Sequence, residues 1–213
     1  MARPRTDISP RILSAAALRF SQAGVEAASL RSIAKDAGTS VGMVYYYFPT
    51  KDDLFFAVVE DVYAKVLKDM AAALGVEGSL EQRIRALYTR LGTLNAAERR
   101  VLRLVAHEAL AGSTRFLGLV ERFKRGHVAL VFQLVAEGLG AGSFRTDVHP
   151  FVIVASIIAL GTMPQVVFQV AGDHLPMIPK FSQEVFVSQL TEALFHGVNA
   201  PRAQLVPTPP KSD

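Results

Sequence analysis

The 213-residue sequence predicts an all-α fold of about nine helices, and three observations carry that expectation. Apolar residues recur at helical spacing, as with Leu30, Ile33, Ala34 and Ala37 at i, i+3, i+4 and i+7. Cap residues and glycine or proline stops punctuate these stretches at helix-sized intervals. No run of alternating β-branched residues lies between turn signals, so a sheet is not expected.

The first helix opens at Ser9-Pro10, a cap followed by proline where a missing N–H costs nothing, and stops at Gly24. Its stripe is Ile12, Leu13, Ala16, Ala17 and Phe20. A second helix starts after Ser29 and ends at Gly38. A short third runs from Ser40 to about Phe48, where Pro49 blocks continuation. Thr50, with Asp53 three residues on, resembles a capping box opening a long helix through about Leu74. Ser79 with Gln82 and Asn95 with Glu98 repeat the pattern, opening helices over about 79–94 and 96–111. One long helix is expected over 114–139, closed by Gly138, Gly140 and Gly142.

Val148–Gly172 contains no Asp, Glu, Lys or Arg, but its most apolar part, Phe151–Leu160, interrupted by Ser156, is ten residues long. A membrane span needs about 20, so a buried or subunit-interface helix is expected here and no membrane partner. A last helix covers about Phe181–Val198, and residues 201–213, with Pro201, Pro207, Pro209 and Pro210, read as a disordered tail. The expected domains are a three-helix head, 1–50, and a larger helical body, 51–200.

Half the residues are hydrophobic and a fifth charged, which excludes intrinsic disorder for all but the ends. Cysteine is absent, excluding disulfides, thiolate zinc sites, iron–sulfur clusters and cysteine nucleophiles, and suiting a cytoplasmic protein. No cationic start precedes an apolar stretch and small-residue cleavage site, so secretion is not expected. The net charge of +4 is unevenly placed. Residues 1–51 hold seven Lys/Arg against three acids, while the rest balances at sixteen of each. A basic first quarter on a neutral body points to a polyanion, nucleic acid before membrane.

Residues 29–51 place two short helices around a tight Gly38 turn, the helix-turn-helix arrangement whose second helix enters the DNA major groove. At about 100° per residue, Val41, Val44, Tyr45 and Phe48 fall on one arc and Gly42, Met43, Tyr46 and Tyr47 on the other. The first arc is expected to pack inward and the second to face out. Tyrosine hydroxyls can bond phosphates while their rings touch sugars and thymine methyls. Gly42 allows close backbone approach, the amides after Ser40 suit a phosphate, and Ser29 and Lys51 stand at two further helix starts. Arg3 and Arg5 can reach phosphates or a minor groove from a flexible arm, and a plain disordered terminus is the equal alternative. The competing reading of the same tyrosines is an ordinary helical hairpin core.

Two stretches resemble the tetracycline-repressor (TetR) family of bacterial regulators. Arg11, Ala15, Ala16, Phe20 and Gly24 resemble its first helix. Ser29-Leu30-Arg31, Ile33-Ala34, Ala37-Gly38, Ser40, Gly42, Tyr45, Tyr47-Phe48, Lys51 and Leu54 resemble its helix-turn-helix and the start of its fourth helix. Thr39 and Met43 depart from the pattern, standing where apolar and small residues are usual. The resemblance implies a dimeric, sequence-specific repressor of a near-palindromic operator, released by a small molecule. The residues expected at DNA are Ser29, Arg31, Thr39, Ser40, Val41, Gly42, Met43, Tyr45, Tyr46, Tyr47 and Lys51; the family adds that the tyrosine matching Tyr45 often touches DNA through its hydroxyl. A sequence-independent nucleic-acid-binding protein is the alternative, sharing the basic head but not needing so apolar a body.

No catalytic set converges. Gly38-x-Ser40-x-Gly42 matches a nucleophile elbow, but a helix precedes it where that motif needs a strand. The five histidines show no metal spacing, and neither metal nor cofactor is expected. Arg103, His107, Glu108, Phe132 and Gln165 are candidate lining for an effector pocket. For His107 a solvated face with Arg100 and Arg103 is favoured, and for Glu108 a rim carboxylate paired with an arginine. The phenylalanines from Phe116 to Phe195 are expected mostly in the core. The apolar body favours a hydrophobic effector, and Ile157, Leu160, Val167, Leu190 and Leu194 are the candidate dimer interface.

Overall fold

The computed structural model describes residues 8–171 and 182–198, without the side chains of 168–171 and 196–198. Among the described residues there are ten helices and no strand: α1 (Ile8–Ala27), α2 (Leu30–Asp36), α3 (Val41–Tyr47), α4 (Lys51–Leu74), α5 (Leu80–Gly92), α6 (Ala96–Leu110), α7 (Thr114–Arg125), α8 (His127–Gly140), α9 (Pro150–Ala171) and α10 (Gln183–Val198). The expected helix start at Phe181, the tail 201–213, and Arg3 and Arg5 lie outside the described residues.

Packing divides the described residues into two compact units, residues 8–73 with 93–129 and residues 74–92 with 130–171 and 182–198. In the first, the expected boundary at residue 50 is not a break in packing. One core runs from Ile12, Ala16 and Phe20 of α1 through Ile33, Ala34 and Val44 into Leu54, Phe55, Val58 and Val59 of α4, Val101 and Leu104 of α6, and Leu119 of α7. α1 kinks at Gly24 (φ 77°) and resumes as far as Ala27. α2 ends as its sequence directs: the Gly38 N–H reaches Lys35 O at 3.0 Å and the Thr39 N–H reaches Ala34 O at 2.9 Å. That paired closure needs a left-handed residue, and Gly38 supplies φ 63° without a Cβ penalty. The Thr50–Asp53 box closes in both directions at 3.0 Å, starting α4.

The helix expected over 114–139 is two helices. Gly126 (φ −102°, ψ −122°) leaves helical geometry, and a Cβ there would collide with the Tyr63 hydroxyl. That hydroxyl accepts the His127 N–H at 3.0 Å and so caps α8. The break is made by a residue 63 positions away in sequence, which local periodicity cannot register.

In the second unit α5 packs on α9 and α10. Ile84, Leu87, Tyr88 and Leu91 of α5, Ile153, Val154 and Ile157 of α9, and Val187 and Leu194 of α10 are all buried. α9 runs 22 residues, past Gly161 and through Pro164, more than twice the expected apolar stretch. Side chains pick up carbonyls around the proline: Thr162 Oγ1 donates to Ile158 O and Gln165 Nε2 to Gly161 O, both at 2.8 Å. By length and composition α9 is sufficient to cross a membrane.

The expected interface needs correction. Ile157, Leu190 and Leu194 are buried inside the unit, at 0%, 9% and 2% exposure, so none is available to a second subunit. Leu160 is half-buried and Val167 is exposed. The outward stripe of α9 recurs every four residues as Phe151, Ala155, Ala159, Met163 and Val167. Because α9 is apolar on every side, its sequence does not mark which side faces α5. Phe151 and Phe132 are likewise exposed rather than core.

Candidate nucleic-acid interface

The helix-turn-helix starts from two serines. Ser29 Oγ accepts the Ser32 N–H at 3.5 Å and caps α2; Ser40 Oγ accepts the Met43 N–H at 3.2 Å and caps α3. Ser40 is thus occupied as a cap, which accounts for it without nucleophile chemistry. α3 is seven residues long, and only Val44 is fully buried. Val41, Tyr47 and Phe48 pack partly against the core on either side of it. Tyr45 and Tyr46 are 52% and 77% exposed, Gly42 is exposed and Met43 half-buried.

The two outer tyrosines therefore exchange the roles expected of them. Tyr45, expected inside, faces out; Tyr47, expected outside, packs inward. The inward arc is centred on Val44, about 60° from Tyr47 and about 100° from Tyr45 at helical spacing. Centring it between Val41 and Phe48 misplaced both rings, the more so because Phe48 has already left the helix (φ −136°, ψ 93°). Tyr46 meets Tyr47 edge-on with centroids 5.4 Å apart, so the exposed ring is steadied by the packed one.

Charge surrounds this face. Arg31 and Lys35 of α2 are exposed. Arg19 binds Asp36 at 2.6 Å, and this bond holds the Asp36 carboxyl below its ordinary range while tying α1 to α2. Lys51 Nζ donates to Glu26 O at 2.6 Å, one of the carbonyls that the end of α1 leaves without a helical partner. Thr39 is half-buried in the turn. Ser29, Arg31, Thr39, Ser40, Gly42, Met43, Tyr45, Tyr46 and Lys51 thus border or form one structural feature, with Val41 and Tyr47 as its underlayer.

The five candidate pocket residues divide between the units. In the first, Arg103 and His107 are exposed, while Glu108 is buried with its Oε2 3.5 Å from Arg115 Nη1. In the second, Phe132 is 38% exposed and Gln165 is buried, its Nε2 bonded to Tyr88 O at 2.9 Å. Arg115 was not singled out by sequence; its partners Glu26, Asp52 and Glu108 are up to 89 residues away, and no local signal marks them.

This arrangement, a three-helix head with a short second helix presenting Gly42, Tyr45 and Tyr46 beside basic residues, defines a helix-turn-helix DNA-binding protein. Residues 12–58 match the family model of the bacterial regulatory proteins, tetR family. Curated relatives of the chain are named as transcriptional regulators. The HTH-type transcriptional repressor KstR2 of Rhodococcus jostii (strain RHA1) is 27% identical over 145 residues, 64% of this chain and 68% of that one. The probable HTH-type transcriptional regulator YttP of Bacillus subtilis (strain 168) is 27% identical over 130 residues, 60% of this chain; the match spans 62% of that relative. Among solved structures, FadR from Bacillus subtilis in complex with stearoyl-CoA superposes with a TM-score of 0.73 at 15% identity, covering 89% of this chain and 99% of that one. These structural likenesses are likenesses of fold.

Proposed function

We propose that two copies of this chain bind a near-palindromic operator and repress transcription, and that an apolar small molecule releases them. The observation that carries the DNA reading is the outward face of α3, where two tyrosines stand exposed over a single buried valine. Exposed paired rings are poorly suited to water and well suited to a groove. In this reading Tyr45, Tyr46, Gly42 and Met43 meet the major groove, while Arg31, Ser29, Thr39, Ser40 and Lys51 meet the backbone. Val41 and Tyr47 set the height of that face.

The dimer is proposed through the outward stripe of α9, Phe151, Ala155, Ala159, Met163 and Val167. A contiguous apolar stripe of this length marks an interaction surface, and a second copy presents the same stripe by two-fold symmetry. Covered in this way, α9 needs no membrane, and the chain works in the cytoplasm without catalysis. An apolar effector is supported by FadR, whose structure holds stearoyl-CoA, and by the name of the ketosteroid regulator KstR2 of Mycobacterium tuberculosis. The effector fills the helical body, with Phe132 the retained candidate; Glu108 is committed to Arg115, and Gln165 to the Tyr88 and Gly161 carbonyls. Binding shifts the equilibrium only through its different affinity for the two states.

Selection of bound duplexes from a random pool tests the reading. The expected product is a near-palindrome with half-site centres about 34–36 Å apart, or a multiple of that distance. Recovery of unrelated sequences would overturn it.

A further inference from the structure

Arg115 of α7 is 13% exposed and engages three carboxylates from three other helices. Its Nε lies 2.7 Å from Asp52 Oδ1 in the first turn of α4, and its Nη1 3.5 Å from Glu108 Oε2 of α6. Its Nη2 binds Glu26 Oε1 in the last turn of α1. Glu26 and Asp52 bracket the helix-turn-helix: one precedes it, the other follows it. Lys51 Nζ, on the Glu26 carbonyl at 2.6 Å, closes the same loop a second time. Both chain ends of the segment carrying α2 and α3 therefore meet at one side chain, which is itself fastened to α6.

We propose that Arg115 is a positioning residue for operator recognition: it fixes the direction in which α2 and α3 leave the rest of their unit, and thereby the half-site spacing that a pair of heads accepts. This rests on the operator-binding reading above. Stability alone is a poor account of the arrangement. Glu26 and Asp52 are 81% and 49% exposed, and pairs with such groups add little to folding. Geometry is what a guanidinium adds, because its planar fork bonds only along fixed directions, unlike a lysine. Glu108 is the exception, a buried carboxylate whose two near partners are Arg115 and, at 3.6 Å, His107 Nδ1, so the hub is also fastened at its α6 end. A displacement of α6 or α7 then reaches both ends of the helix-turn-helix together.

The test uses the full chain and the operator selected by the wild type, in versions with one base pair removed or added between half-sites. One base pair turns a half-site by about 35°. Glu26→Ala with Asp52→Ala removes the two exposed partners and leaves the buried Arg115–Glu108 pair. The wild type should lose about tenfold or more in affinity on either change, equivalent to about 1.4 kcal/mol. The double variant should bind the parent operator about tenfold more weakly, accept the altered spacings within about threefold of it, and melt within a few degrees of the wild type. A double variant that keeps the wild-type spacing profile would overturn the proposal. If it melts early, Glu26→Ala alone is read by the same profile. A wild type indifferent to spacing would instead overturn the operator reading itself.

Discussion

The Tyr63 hydroxyl accepts the backbone N–H of His127 at 3.0 Å and lies 2.9 Å from Nδ1 of the same residue. One oxygen thus ends α7 and starts α8, with Phe123 packed edge-on against the Tyr63 ring at 5.2 Å. The histidine is held where water is scarce, and burial lowers its pKa to about 4.

A pH dependence follows. Below about pH 6.5 the unfolded chain takes a proton at His127 that the folded chain refuses, so stability falls as pH drops from about 6.5 toward 4. With partial solvent access, the loss should be about 1–2 kcal/mol at pH 5. Urea midpoints at pH 7 and pH 5 measure it. The wild type should lose stability over that interval and His127→Gln should lose much less; equal slopes would show that His127 is not the group responsible.

The tyrosine run predicts a separation of stability from binding. Tyr45→Ala and Tyr46→Ala should each shift folding stability by less than about 0.5 kcal/mol, since both rings are exposed. Each should weaken operator binding by about 1–3 kcal/mol, or somewhat less if it meets only phosphate. Tyr47→Ala should instead destabilise the unit by about 2 kcal/mol, less than a fully buried ring would. Melting temperature beside operator affinity distinguishes the three. Early melting of Tyr45→Ala with normal folding of Tyr47→Ala would reverse the assignment.

The α9 stripe predicts where association is broken. Ala159→Asp should give folded monomers, because it puts a charge into the proposed interface and not into the protomer core. Ile157→Asp should unfold the chain, since Ile157 is 0% exposed within the unit. Mass in solution and circular dichroism read both. A folded dimer from Ala159→Asp would remove this face as the interface.

The elements that sequence makes legible are those fixed within a turn or two of chain. Ser29, Ser40, Thr50 with Asp53, and Asn95 with Glu98 cap the helices they were expected to open. What escaped is set by distant partners. Gly126 breaks a periodic stretch because Tyr63 arrives there, and Glu108 is buried because Arg115 meets it. The side of α9 is illegible for a different reason: a helix without charge has no polar face to read. In α3 the difficulty is shortness, since seven residues give an arc too poorly centred to separate Tyr45 from Tyr47.

The measurement that tests the account most directly is the ratio of affinities for the selected operator and for a shuffled duplex of equal length and composition, at fixed physiological salt. Recognition through the outer face of α3 predicts a ratio of about 10³ or more for the wild type, falling sharply in Tyr46→Ala while binding to the shuffled duplex changes little. Equal affinity for both duplexes, tracking salt alone, would contradict it and leave a basic protein that binds nucleic acid without reading it.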